Sequence, residues 1–183
     1  MTRFHTLAAL AAITLTTPVF AAPSPTLANA DGGGKTVILS PLNFINDTDL
    51  NFGDVVLPTG SSGSVTIDPD PTVTTFMSAI GVQPIPTSVP TRGLMIGAGT
   101  ALSDVVVTTA FPSKLYLNGD TTSLVNLDVS LTVDAAPTAP DTYTYTIDSG
   151  QVFQVHVGGR VDIPAGTSNG SYSNTYDVTA TYP

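Results

Sequence analysis

The chain contains no cysteine and no glutamate, and only five lysine and arginine residues among its 183 positions. Without cysteine there can be no disulfide, no thiol nucleophile and no thiolate metal site. Without glutamate, and with little lysine, long helices lose good surface residues; the abundant Thr, Val and Gly suit strands and turns instead. The acidic residues are all aspartate, and they give a formal charge of −9. The cations Lys35, Arg92, Lys114 and Arg160 are scattered. Nucleic acid and anionic membrane surfaces need clustered Lys and Arg, so neither is an expected partner.

Arg3 and His5 precede an apolar run from Leu7 to Leu15, and Pro18 leads into Val19-Phe20-Ala21. This predicts a secretory signal over residues 1–21, cut after Ala21, with Ala28 and Ala30 as alternative sites. The run falls short of the about 20 apolar residues a membrane helix needs. No later segment offers a span. The rest of the chain suits one domain with a substantial core. The composition of residues 22–34, rich in Pro, Ala and Gly, predicts a flexible leader ending in Asp31-Gly32-Gly33-Gly34. Residues 35–45 are extended and apolar, either a donor strand or the first strand of the domain. Val37 shares one parity with Leu39 and Ile45; Ile38, Leu42 and Phe44 share the other, which is preferred as the buried face. The domain proper occupies residues 46–183.

Side chains alternate between faces along a strand, so short alternating runs locate the strands. Val125, Leu127, Val129, Leu131 and Val133 share one face of the cleanest run. Val105, Val107 and Thr109 form a second set, Tyr143, Tyr145 and Ile147 a third, and Phe153, Val155 and Val157 a fourth. Gly158-Gly159 reads as a turn, and the apolar stretch from Thr74 to Val89 as a short helical turn followed by loop. The last fourteen residues, from Gly170, carry Tyr172, Tyr176, Val178, Ala180 and Tyr182 on one parity and hydroxyl-bearing residues on the other. This predicts a terminal strand whose open edge something must cover. Altogether the pattern predicts an all-β sandwich of about seven to ten strands.

Catalytic chemistry is hard to place. His156 is the one histidine after the signal, and its parity opposite Phe153 and Val155 turns it toward solvent or an edge. No Gly-x-Ser-x-Gly elbow accompanies it. Asp47 and Asp49 begin like a calcium loop, but the glycine at its sixth position and the glutamate at its twelfth are missing. Asp68 and Asp70 lie in a turn, where aspartate commonly accepts local backbone bonds. Gly97-Ala98-Gly99 is not followed by a helical pattern, so it is no phosphate loop. The reading is therefore a protein that is not an enzyme, with no catalytic, cofactor or metal site.

Two resemblances extend this. The block from Val157-Gly158-Gly159-Arg160 through Pro164-Ala165-Gly166 to the terminal strand, with Ser40-Pro41-Leu42, Leu50 to Asp54 and Gly63 to Ile67, resembles a family of secreted proteobacterial proteins known as domain of unknown function 4402. The ending itself, with Gly170 and the penultimate aromatic Tyr182, resembles that of chaperone–usher pilins and spore-coat-U-like domains. That second resemblance implies an immunoglobulin-like sandwich lacking a strand, completed by a chaperone and then by the next subunit's N-terminal segment. It implies a surface-fibre subunit in the periplasm or on the surface of a Gram-negative cell. The partners would be copies of itself or related subunits and a periplasmic chaperone. Val37, Ile38, Leu42 and Phe44 would serve on the donor side, and Gly170, Tyr172, Tyr176, Val178 and Tyr182 on the acceptor side. The alternative is a self-complete secreted sandwich that binds a surface carbohydrate or protein, with Tyr143 and Tyr145 as the binding aromatics.

Overall fold

A computed structural model describes residues 38–183. The expected signal, the leader and Val37 lie outside the described residues. Those described form an all-β fold without a helix and with fourteen strands, more than the seven to ten expected. In chain order these are β1 (Asn43–Thr48), β2 (Val55–Val56), β3 (Gly63–Ile67), β4 (Met77–Ile80), β5 (Gln83–Pro84), β6 (Gly93–Ala98) and β7 (Asp104–Ala110). There follow β8 (Lys114–Leu117), β9 (Asn126–Val133), β10 (Pro137–Ala139), β11 (Thr142–Thr146), β12 (Val152–Ile163), β13 (Tyr172–Ser173) and β14 (Asp177–Thr181). Several are only two to four residues long, which is why the count exceeds what alternation can reveal.

The longest strand, β12, organises the molecule. Its first half, Val152–Val157, pairs antiparallel with β6, and its second half, Gly159–Ile163, pairs on the same side with β3. Its other side pairs with β9 from Val157 to Asp162. The large sheet runs β1-β6-β12-β9-β8-β13, with β3 and β4 branching from the second half of β12. A smaller sheet, β10-β11-β7-β14, carries inward side chains that pack against those of the first half of β12. Val105, Val107 and Ile147 from this side meet Phe153, Val155 and Val157, all almost without solvent contact. The sets with Val105 and with Phe153 thus fall on the core face, as their alternation predicts. Tyr143 is buried with them and Tyr145 is half-buried.

Three expectations are corrected. Gly158-Gly159 is not a turn but lies inside the unbroken β12. A Cβ on Gly158 would press on the Ile67 carbonyl and sit 2.7 Å from the Pro69 nitrogen, and one on Gly159 would sit 2.8 Å from the Leu131 Cα. Glycine is required here because β3, β9 and the chain after β3 close in on β12, not because the chain reverses. The Thr74–Val89 region forms β4 and β5 rather than a helical turn; pairing with β3 and β2 overrides local composition. The terminal strand is two strands. β13 pairs with β8 in the large sheet, and β14 pairs with β7 in the small one.

Candidate functional site

The two sheets do not cover each other fully. β7 ends at Ala110 and β14 begins at Asp177, so the small sheet stops beside the middle of β12. Beyond that point the inner face of the large sheet continues through Val65, Leu127, Val129, Val161 and Ile163, which form a second buried cluster. Phe52, Val55, Leu57, Val82 and Tyr172 cover it from loops and short strands. Loops cannot tile a pleated surface as a second sheet does, and a cleft of about 670 Å³ remains. Its floor is Val65, Leu127, Leu131, Val161 and Ile163. One rim is the segment from Leu50 to Leu57 that follows β1; the other runs from Thr167 to Asn174 and includes β13. The floor residues Val65, Leu127 and Val161 are buried.

The second rim is lightly held. β13 makes a two-residue ladder with β8. The Tyr172 hydroxyl donates to the Ser168 carbonyl at 2.8 Å, and the Asn118 N–H donates to the Ser171 carbonyl at 2.7 Å. Where the chain passes between sheets, the Asn174 side chain donates to the Lys114 carbonyl at 2.9 Å and accepts from the Thr175 N–H at 2.8 Å. These bonds replace the ladder that is interrupted there. A Cβ on Gly170 would run into the Leu117 side chain.

Beyond the break, the inward residues of β14 complete the flank. Tyr176 packs edge-on against Phe111, with ring centroids 5.8 Å apart. Its hydroxyl would lie 2.7 Å from a Cβ on Gly93, beside Leu50. Burial raises its pKa, as does the nearby Asp49 carboxylate. At the other end of β14 the Tyr182 hydroxyl accepts from the Thr100 N–H at 2.7 Å and donates to the Ser40 carbonyl at 2.9 Å. The same tyrosine and Leu42 both crowd Gly99. The two tyrosines that flank β14 therefore lie at opposite ends of β1, Tyr176 beside Leu50 and Tyr182 on Ser40.

β1 and β14 are the end strands of their sheets, and each is laddered on one side only among the described residues. Val178 and Ala180 pack on the first core beside Leu42 and Phe44, and Phe44 stacks on Phe153 at 5.6 Å. Of the expected donor residues, Leu42 and Phe44 thus face their own core, while Ile38 is exposed. Asn43–Ile45 is laddered to β6 of the same chain. The expected acceptor residues divide: Tyr172 and Tyr176 border the cleft, and Val178 and Tyr182 lie on the flank beyond it. Sequence reasoning missed the floor and the Leu50–Leu57 rim. Val65, Val161 and Ile163 are readable as alternating apolar positions, but nothing local to them tells that the small sheet stops short of them.

The chain matches a family model described as "Domain of unknown function (DUF4402)" over residues 42–182. It belongs to this family. The DUF4402 region opens at Leu42 and closes at Tyr182, the two residues that meet at Gly99, and it runs through the middle of the chain as well as both ends. No curated protein and no solved structure matches. Among the described residues no helix is long and apolar enough to cross a membrane.

One titratable cluster lies apart from the cleft. The Tyr145 hydroxyl donates to Asp134 Oδ1 at 2.6 Å, and His156 Nδ1 lies 2.8 Å from Asp134 Oδ2. His156 is thus mostly buried and paired, not turned to solvent, because Asp134 folds over it where the chain leaves β9 for the small sheet. Burial and the Asp134 carboxylate push the Tyr145 pKa well above its ordinary value. The cluster ties the two sheets together. Asp47 and Asp49 are occupied locally, by Thr48 at 3.0 Å and Asn46 at 2.6 Å.

Proposed function

We propose that this protein is a non-enzymatic structural subunit of a secreted surface fibre, joined to its neighbours by strand addition onto an immunoglobulin-like sandwich. One observation carries the reading: a cleft with an apolar floor and polar rims, bordered by the segment after the first strand and by the segment that leads into the final one. An added strand could lay alternate apolar side chains onto the floor and use backbone groups at the rims. The two alternate side chains Val37 and Leu39 would contribute roughly 3–6 kcal/mol gross, at about 1.5–3 each. The placement of the chain's beginning supports a partner in trans. Ser40 is bonded to Thr100, beside the Val152 end of β12, whereas the cleft lies at the Ile163 end. The domain's own ladder uses Asn43 onward, so the donor would be the part before it, with Val37 to Leu39 supplying the apolar side chains. Secretion to the periplasm or surface of a Gram-negative cell, and protection of the cleft by a chaperone, belong to the same proposal.

The ladder between β1 and β6 also favours a second reading, a self-complete secreted domain whose cleft takes a surface carbohydrate or protein ligand. Tyr143 would not serve it, being buried in the core. Expressing residues 22–183 and residues 40–183 separates the two. The fibre reading expects detergent-resistant ladders from the longer chain alone. Equal, monomeric behaviour of both at high concentration would sink it.

A further inference from the structure

Asparagine followed by glycine occurs twice in the chain, at Asn118-Gly119 and at Asn169-Gly170, and both pairs are exposed. Glycine has no side chain to shield its backbone nitrogen, which can therefore approach the asparagine side-chain amide. The two pairs are held differently. The Gly119 N–H donates to the Tyr116 carbonyl at 3.0 Å, and the Asn118 N–H to the Ser171 carbonyl at 2.7 Å. Asn118 also stands at φ +56° in a turn just after β8. Bringing its amide to the Gly119 nitrogen means opening that turn. Among the described residues, by contrast, the Gly170 N–H donates to no acceptor, and Asn169 makes no hydrogen bond through its N–H or its side chain.

The fold has a use for the second glycine and none for the asparagine before it. A Cβ on Gly170 would run into the Leu117 side chain, whereas the Asn169 side chain touches no polar partner. The segment is pinned on both sides. The Ser168 carbonyl accepts from the Tyr172 hydroxyl at 2.8 Å, and the Ser171 carbonyl accepts from the Asn118 N–H. Only Asn169 and Gly170 stand between these pins. They belong to the second rim of the cleft, where β13 has only its two-residue ladder with β8.

We propose that Asn169-Gly170 is a self-modification site, at which the Gly170 backbone nitrogen attacks the Asn169 side-chain amide and the product loosens this rim. The nitrogen gives its proton to solvent and bonds to Asn169 Cγ. The Cγ–Nδ2 bond breaks, and ammonia leaves with a proton taken from solvent. Water then opens the cyclic imide at either carbonyl. One opening leaves aspartate at position 169. The other leaves isoaspartate, in which the main chain runs through the former side chain and is one carbon longer. Both add a negative charge; only isoaspartate lengthens the pinned segment, so one of its two pins must give. The inference goes beyond the fibre reading and does not rest on it, since the rim changes whatever the cleft takes.

The test keeps residues 22–183 at mildly alkaline pH, where the nitrogen loses its proton more readily, and maps peptides by mass spectrometry. In the folded protein position 169 should convert about tenfold or more faster than position 118, whose backbone bonds must open first. In guanidinium chloride the two rates should converge. Equal rates in the folded protein, or an Asn169 amide that outlasts Asn118, would overturn the site. The isoaspartate form is then separated by ion exchange for hydrogen exchange. The Asn118 N–H should exchange about tenfold faster than in the parent, while Asn169→Asp, which has the charge without the added carbon, should match the parent. Parent-like exchange in the isoaspartate form would overturn the loosening. Equally fast exchange in Asn169→Asp would overturn chain length as its cause.

Discussion

The two halves of β12 share one strand and one inward parity, yet they live in different surroundings. Phe153, Val155 and Val157 face a second sheet and are sealed by it. Val161 and Ile163 face loops, the two-residue β13 and a cleft of about 670 Å³. Nothing in their chemistry separates Val155 from Val161; the partner layer does. Sheet-on-sheet packing interdigitates inner faces about 10 Å apart along whole strands, whereas loops touch at points. The closed half is sealed by a second sheet, and the other half is covered only by loops and short strands that leave a cleft.

Truncating the core in each half should expose the difference most strongly. Phe153→Ala removes a ring stacked on Phe44 and packed near Tyr145, and should cost about 3–5 kcal/mol by urea denaturation. Leu127→Ala removes a similarly buried side chain, but from the wall of an existing cleft. The hole it leaves joins space already there, so about 2 kcal/mol is expected, at the low end for such a change. Equal costs would mean that the cleft is closed in solution and the halves are alike.

Gly158 sits at the border, where β12 passes from β6 to β3. Gly158→Ala presses a methyl group onto the backbone of Ile67 and Pro69, which cannot move without opening the β3 ladder. The expected cost is about 2–3 kcal/mol. Hydrogen exchange should speed up across Gly63–Ile67 and leave Asp104–Ala110 protected. Uniform loss of protection would show that the halves unfold as one unit.

How much of this was legible in the sequence divides along the same border. Alternation located β7, β11 and the first half of β12 because each has one face in a closed core, which is the circumstance alternation reports. It failed at Gly158-Gly159, since two glycines look alike whether the chain reverses or two neighbours crowd it. It also missed the break at Asn174–Tyr176. The parity of the tyrosines is kept across the change of sheet, so the pattern reads as one strand. The cleft left no local mark, being the consequence of a small sheet that ends early. Leu42 and Phe44 were placed on the inward parity, but whether their segment pairs within the domain was left open, because that depends on β6 some fifty positions away.

Tyr145→Phe probes the tie between the sheets on the closed side. It deprives Asp134 of a donor and should cost about 1–2 kcal/mol near neutral pH. The fold raises the Tyr145 pKa through burial and the adjacent carboxylate. A raised pKa means that the folded state prefers the protonated phenol. The contribution is therefore whole below the unfolded value of about 10 and is lost as pH rises beyond it. The parent should lose stability steeply above about pH 10, and the variant more gently, measured by thermal unfolding across that range. Tyr176, whose pKa is raised too, keeps part of the slope in both proteins. An unchanged slope in Tyr145→Phe would mean that the phenol is solvated.

Tyr182→Phe makes the smallest change, one oxygen, at the far end of the closed half. That oxygen accepts from Thr100 and donates to Ser40, so its loss leaves a backbone donor and a backbone acceptor without it. Both lie near solvent and can recruit water, which limits the cost to about 1 kcal/mol. The effect should be local: faster exchange at Thr100 and easier proteolysis just before Leu42, with β14 still laddered to β7. Ser40 is where the chain enters the domain, so the variant frees the root of the segment proposed as donor without touching the cleft. If the root must be held for that segment to reach a neighbour, ladders from residues 22–183 should shorten although stability hardly changes. If ladders keep their length, the hydroxyl only seals the closed half, and the halves differ in packing alone.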